Sequence, residues 1–254
     1  MSESVDLRRI LKSWPYDPEQ DTRIVPGEDG RSILQVRTPL GIEQYELDGR
    51  PDGARPYGKE SALEHHLERL ETAKAAGREA EFDLGPRECG ELFSEGTLYY
   101  FRYVRLFQLK EWKRTVRDTA RNLRAFDLAH RYARRQEDQQ FLEKWRPYIL
   151  RVNATAAAMI DLDHNAYDEA LTLLQEAIAK IQALPELDDE TFTFERDRSL
   201  SGLREMAAQI QKNRPLSELE KLQHQLQRAI DRQEFERAAQ LRDRIRTLKK
   251  QHIC

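Results

Sequence analysis

The chain has 254 residues, 34% of them charged and 39% hydrophobic, with a formal net charge of -3. That length can hold two or three domains with cores of their own, and the mixture excludes a disordered chain in favour of a globular, helix-rich one. No apolar run approaches the roughly 20 residues of a membrane span, and the two cysteines, Cys89 and Cys254, are too few for a disulfide scaffold or a structural zinc site.

The opening Met1-Ser-Glu-Ser-Val-Asp-Leu-Arg-Arg lacks a signal-peptide core, so a reduced, cytoplasmic setting without membrane contact is expected. Charge is uneven along the chain. Phe101 to Arg151 holds 14 Lys and Arg against 6 Asp and Glu, which leaves 28 against 39 for the remainder, so a basic middle lies between acidic flanks.

Residues 1–58 concentrate proline and glycine and form the non-helical part, a small mixed unit. Ser32 to Arg37 and Ile42 to Leu47, separated by Thr38-Pro39-Leu40-Gly41, predict a β-hairpin, followed by a loop over Asp48-Gly49-Arg50-Pro51-Asp52-Gly53. Two strands alone are unstable. They are expected to lean on the helices through Trp14, Val36, Tyr45 and Leu47.

Residues 59–213 predict a helical body. Ser61-Ala-Leu-Glu64 is a capping box opening a helix that stops at Gly77, and a second helix starts near Pro86. From there to about Pro185 the pattern is helical, and Asp188 to Asn213 supplies one more helix before a break at Pro215. Three turns share a recipe of polar, any, aromatic, charged, charged, small: Lys110 to Thr115, Asn165 to Ala170 and Gln233 to Ala238. In each, the aromatic (Trp112, Tyr167 or Phe235) is expected to plug the gap between two antiparallel helices, with the small residue letting them close.

A ridge of Lys110, Arg114, Arg117, Arg121, Arg124, Arg131 and Arg135 recurs along one helix. Heptad counting puts it on the outward face, opposite Trp112, Val116, Leu123 and Phe126. With Tyr99, Tyr100, Tyr103, Trp145 and Tyr148 nearby, it is a candidate surface for single-stranded nucleic acid or an acidic partner, against the commoner outcome of a solvated arginine face. His65-His66 and Asp161-Leu-Asp163-His164 are the only clusters that suggest a metal, and neither has a ligand spacing. Cys89 has no histidine near it in sequence. No residue set specifies a reaction, so neither catalysis nor a cofactor is expected.

The C-terminal segment, residues 214–254, carries two apolar stripes at three- and four-residue spacing. Leu216, Leu219, Leu222, Leu226, Ala229 and Ile230 make one, and Phe235, Ala238, Leu241, Ile245 and Leu248 the other, with the polar Asp231-Arg232-Gln233-Glu234 between. An antiparallel helical hairpin follows. Its stripe is too wide for one seam to bury, so Leu219, Leu222, Leu226, Phe235, Ala238 and Ala239 are candidate contacts to a protein partner or to a second copy of the chain.

The run Gln233 to Ile245, Gln-Glu-Phe-Glu-Arg-Ala-Ala-Gln-Leu-Arg-Asp-Arg-Ile, resembles the second half of the UVR (UvrB/UvrC) motif. The resemblance implies a protein-binding hairpin with the aromatic and alanines at the contact. It is used by excision-repair proteins to join each other and found in protein-quality-control adaptors. Neither a GxxxxGK[ST] phosphate loop nor paired CxxC motifs accompany it here. Tyr167-Asp-Glu-Ala-Leu-Thr-Leu-Leu-Gln-Glu-Ala177 resembles the second helix of a tetratricopeptide repeat. The aromatics of the three turns stand 55 and 68 residues apart rather than 34, which implies irregular tetratricopeptide-like hairpins. The overall expectation is a mainly α, non-enzymatic interaction adaptor linked to DNA repair or protein quality control, with nucleic-acid binding along residues 110–135 as the alternative.

Overall fold

A computed structural model describes residues 6–216 and 218–251 of the chain. With 68% of residues helical, the class is mainly α. The chain forms two compact units, residues 1–207 and 208–254.

The first unit begins with a short helix, α1 (Arg8–Ser13), and three strands, β1 (Thr22–Pro26), β2 (Ser32–Thr38) and β3 (Gly41–Glu46). They form an antiparallel sheet in the order β1-β2-β3, with Leu34 opposite both Ile24 and Tyr45. The hairpin expected from sequence is therefore β2-β3, and β1 adds a third strand. Leu34, Val36, Tyr45 and Leu47 are buried against Leu106, so the sheet does lean on a helix. Trp14 departs from the expectation. It stays outside that cluster, half-buried under the guanidinium of Arg23 at 3.8 Å. Arg37 holds the segment by donating from Nε to the Trp14 carbonyl at 2.8 Å.

Helices α2 (Ala62–Ala75), α3 (Pro86–Gln108), α4 (Trp112–Tyr132), α5 (Gln136–Phe141), α6 (Arg146–Asp163), α7 (Tyr167–Gln182) and α8 (Glu190–Asn213) follow. Their ends obey local rules. Ser61 Oγ accepts the Glu64 amide at 3.1 Å to start α2, Gly77 takes φ +68 just past its end, and Glu88 reaches back to the Gly85 amide at 2.7 Å to start α3. Consecutive pairs α3/α4 and α6/α7 pack together, and α4 also packs on α6, which makes α4 the central helix of the unit.

In the second unit, α9 (Glu218–Asp231) and α10 (Phe235–Gln251) pack as an antiparallel hairpin. Among the described residues, no helix is long and apolar enough to cross a membrane.

Candidate docking hairpin

Three helix-to-helix connections make, without glycine, the same closure that Gly77 makes after α2. After α3, α6 and α9, the residues Lys110, Asn165 and Gln233 take φ of 59, 59 and 58, and each amide bonds the carbonyl three residues back. The next amide (Glu111, Ala166 or Glu234) bonds the carbonyl five back, at 2.8, 2.9 and 2.8 Å. This is the Schellman closure, made here with a side chain where glycine is usual. Such a turn folds the second helix back on the first within a few residues.

The recipe read from sequence holds for the packing of two turns and fails at the third. Trp112 is half-buried with its ring 5.3 Å from Phe107, and Thr115 behind it is buried; Tyr167 is half-buried over a buried Ala170. At the hairpin tip, Phe235 is 72% exposed and Ala238 only half-buried. An aromatic that plugs its gap in the first unit stands in solvent in the second. The single seam between α9 and α10 does not reach far enough round to cover it.

The seam itself is narrow. Leu222, Ala229 and Ile245 are buried, and Leu219, Leu226, Ala238, Leu241 and Leu248 are half-buried; all eight follow alternating three- and four-residue spacing. The residues flanking that stripe on one side are Gln223, Gln227 and Ile230 of α9 and Phe235, Ala239, Arg242 and Arg246 of α10, and all are exposed. At about 100° per residue these two flanks fall on the same broad face of an antiparallel pair. Leu216, just ahead of α9, is 45% exposed, and Ile230 is 47% exposed beside the turn.

Residues 217–251 match the family model described as the UvrB/uvrC motif. No curated protein and no solved structure matches the chain. The UVR match coincides with α9 and α10 and spans about one seventh of the chain. The UVR motif is an interaction module, and the tip left open by the fold lies inside the matched segment. Of the six contacts chosen from sequence, Phe235 and Ala239 are exposed, Leu219, Leu226 and Ala238 are half-buried, and Leu222 is enclosed. Ile230 belongs to the apolar stripe of the sequence but is not among its candidate contacts. Its place one residue outside the three-four series was the signal.

The basic ridge of α4 is exposed at Lys110, Arg117, Arg124, Arg131 and Arg135, half-buried at Arg114 and buried at Arg121. Arg121 is buried, ion-paired with the buried Glu95 and stacked 4.2 Å from the Tyr99 ring, and burial pushes its guanidinium down to about 9, still charged at neutral pH. The other arginines each meet a carboxylate of the chain. Arg114 pairs with Glu111 at 2.6 Å, Arg117 with Asp48 at 2.6 Å, Arg124 with Glu64 at 3.2 Å, Arg131 with Glu79 at 3.0 Å and Arg135 with Asp138 at 2.7 Å. Lys110 sits exposed at the turn. Heptad counting fails at Arg121, because α4 is enclosed by neighbours on several sides there, so Thr115, Asp118, Thr119 and Asn122 are buried as well.

Around this ridge lies a buried ionic junction that sequence did not reveal. Arg102 donates to both oxygens of Asp118 at 2.7 and 2.8 Å and to the carbonyls of Glu46 and Gly49. Glu95 accepts the amides of Ala62 and Leu63 at 2.8 and 3.2 Å and pairs with Arg50 at 3.2 Å, filling the start of α2 with a carboxylate. The junction clamps the β3 loop, α2, α3 and α4 to one another.

The proposed stacking aromatics divide. Tyr99 and Tyr103 are core, Tyr148 is half-buried, and Tyr100 and Trp145 are each 41% exposed. Among the described residues no group of three or more His, Cys, Asp or Glu is placed to hold a metal. His65 stacks on Tyr57 at 4.0 Å, while His66 is buried with Nδ1 facing Arg69 at 3.0 Å. His164 turns to the Ile160 carbonyl. Cys89 is buried and its thiol is pushed up to about 11 by burial, which suppresses the thiolate a nucleophile needs. Cys254 lies outside the described residues.

Proposed function

We propose that the chain is a non-enzymatic, cytoplasmic adaptor whose C-terminal UVR hairpin docks a protein partner in DNA repair or protein quality control. The observation that carries this reading is the uncovered tip, where Phe235 and Ile230 stand in solvent on one face while the seam behind them is already filled. Burying a side chain of this kind contributes about 1.5 to 3 kcal/mol, and the first unit shows how the chain covers an aromatic at this turn position when a neighbour is present. A second hairpin laid on the face would close a four-helix bundle. The helices of the first unit, including the tetratricopeptide-like α7, form a helical body of the kind adaptors use.

Nucleic-acid binding along α4 is the weaker reading, because arginines already paired with internal carboxylates release few counterions on meeting phosphate. The absence of a catalytic role is supported by the suppressed Cys89 thiolate and by the enclosure of His66. Affinity capture with the full chain, with a chain ending at Asn213, and with Phe235→Asp tests the adaptor reading. Proteins held by the full chain are expected to be lost from both variants while the helical circular dichroism of Phe235→Asp is retained. Equal capture by all three removes the reading.

A further inference from the structure

The UVR face has a chemistry that chooses among its possible occupants. On α10 the exposed flank runs Phe235, Ala239, Arg242, Arg246, and the matching flank of α9 offers Gln223, Gln227 and Ile230. The face thus carries an apolar knob at the turn, two cations along the α10 edge, and one carboxylate on the α9 flank, Glu220, which Arg214 already holds. Arg242 meets Asp243 at 3.7 Å, and both side chains of this pair are about 70% exposed, which leaves the cation largely uncompensated. Residues 208–254 as a whole hold 11 Lys and Arg against 6 Asp and Glu.

Two such faces brought together by a two-fold axis set cation against cation, cation against amide, or cation against the Glu220 that Arg214 already holds. Self-pairing would bury Phe235 and Ile230 and offer Arg242 and Arg246 no opposite charge beyond Glu220, which is engaged by Arg214. A phosphate backbone would satisfy the arginines and leave Ile230 wet. We propose that the face takes a protein surface combining an apolar pocket for Phe235 and Ile230 with acidic side chains opposite Arg242 and Arg246, and that a second copy of the chain is not the partner. This inference rests on the docking role of the hairpin given above and adds the chemistry of what docks.

The test uses the full chain and, as a probe of the complementary chemistry, a full-length copy carrying Arg242→Glu and Arg246→Glu. In sedimentation velocity at low salt the unaltered chain alone is expected to be monomeric. Mixed with the charge-swapped copy it should form a heterodimer about tenfold tighter than either homotypic pairing, as a few exposed ion pairs would produce. That heterodimer should weaken in high salt and vanish when Phe235→Asp is placed in the unaltered partner. Self-association of the unaltered chain as tight as the mixture overturns the inference, as does a mixture that stays monomeric. Binding of single-stranded DNA that depends on Arg242, Arg246 and Phe235 together overturns it in favour of nucleic acid. Tight self-association through Phe235 would leave the docking role standing and remove only the acidic partner, whereas capture indifferent to Phe235→Asp would remove the docking role itself.

Discussion

Arg102 and Asp118 are both fully enclosed and face each other through two hydrogen bonds, so neither charge has water to fall back on if the other is removed. Breaking a buried pair from one side costs about 3 to 5 kcal/mol, because the remaining ion is left unpaired. Asp118→Ala is accordingly expected to lower the unfolding free energy from urea titration by that amount, while Arg87→Ala, whose partner Glu91 is met on an open helix surface, should change it by less than about 0.5 kcal/mol. A second residue effect follows from His66, whose pKa is pushed below 6.5 by burial and by the neighbouring Arg69 guanidinium, with Glu88 acting the other way. His65 and Glu91 also face it. Because the folded form resists the proton that the unfolded chain accepts, stability is complete above pH 6.5 and declines as pH falls below it. Thermal unfolding measured from pH 7.5 to 5.5 should show that decline, and His66→Gln should flatten it; an unchanged slope in the variant would assign the decline to other groups. Residue identities near a helix end were legible in the sequence, since Ser61, Glu64, Gly77 and Glu88 act on amides within a few positions. Glu95 and Arg121 were not, because a charged residue on a helical pattern reads as solvated until the fold brings its partner from a distant element.

At the scale of elements, the three Schellman turns show local chemistry repeating with different outcomes. The shared polar-aromatic-charged-small run located all three turns, and the left-handed residue stands two positions before the aromatic each time. A side chain in that conformation costs about 1 to 2 kcal/mol, partly offset in glycine by its greater freedom when unfolded. Gln233→Gly should therefore stabilise the hairpin by about 0.5 to 1 kcal/mol, visible as greater protection of α9 and α10 amides from hydrogen exchange, and Lys110→Gly should raise the melting temperature of the first unit. A loss of stability in both would show that the turns are held in another way. What the pattern could not show is which aromatic finds a neighbour, because that depends on a third element: α6 lies against α4 behind the first turn, and nothing described covers Phe235. Strand β1 escaped the sequence reading for a related reason. Its Thr-Arg-Ile-Val-Pro carries too little alternation to declare itself, and pairing with β2 is what makes it a strand.

Over the whole molecule, charge and exposed apolar surface are distributed between the two units in a consistent way. Residues 1–207 hold 31 Lys and Arg against 39 Asp and Glu, while 208–254 are basic. In the first unit the arginines of α4 meet carboxylates of the same unit, and the second leaves Arg242 and Arg246 beside an open aromatic. Such a division gives one end of the chain a body held together by internal ion pairs and the other a face whose apolar and basic groups still need opposites. The account stands or falls on that aromatic being open when the chain is alone. Hydroxyl-radical footprinting of the purified full chain, read residue by residue, measures it directly. Phe235 is expected to be modified at the rate of a solvent-exposed phenylalanine, with Phe192 in the core of the first unit almost untouched. Protection of Phe235 to the level of Phe192 in the lone chain would contradict the account, because the hairpin would then have nothing left to offer a partner.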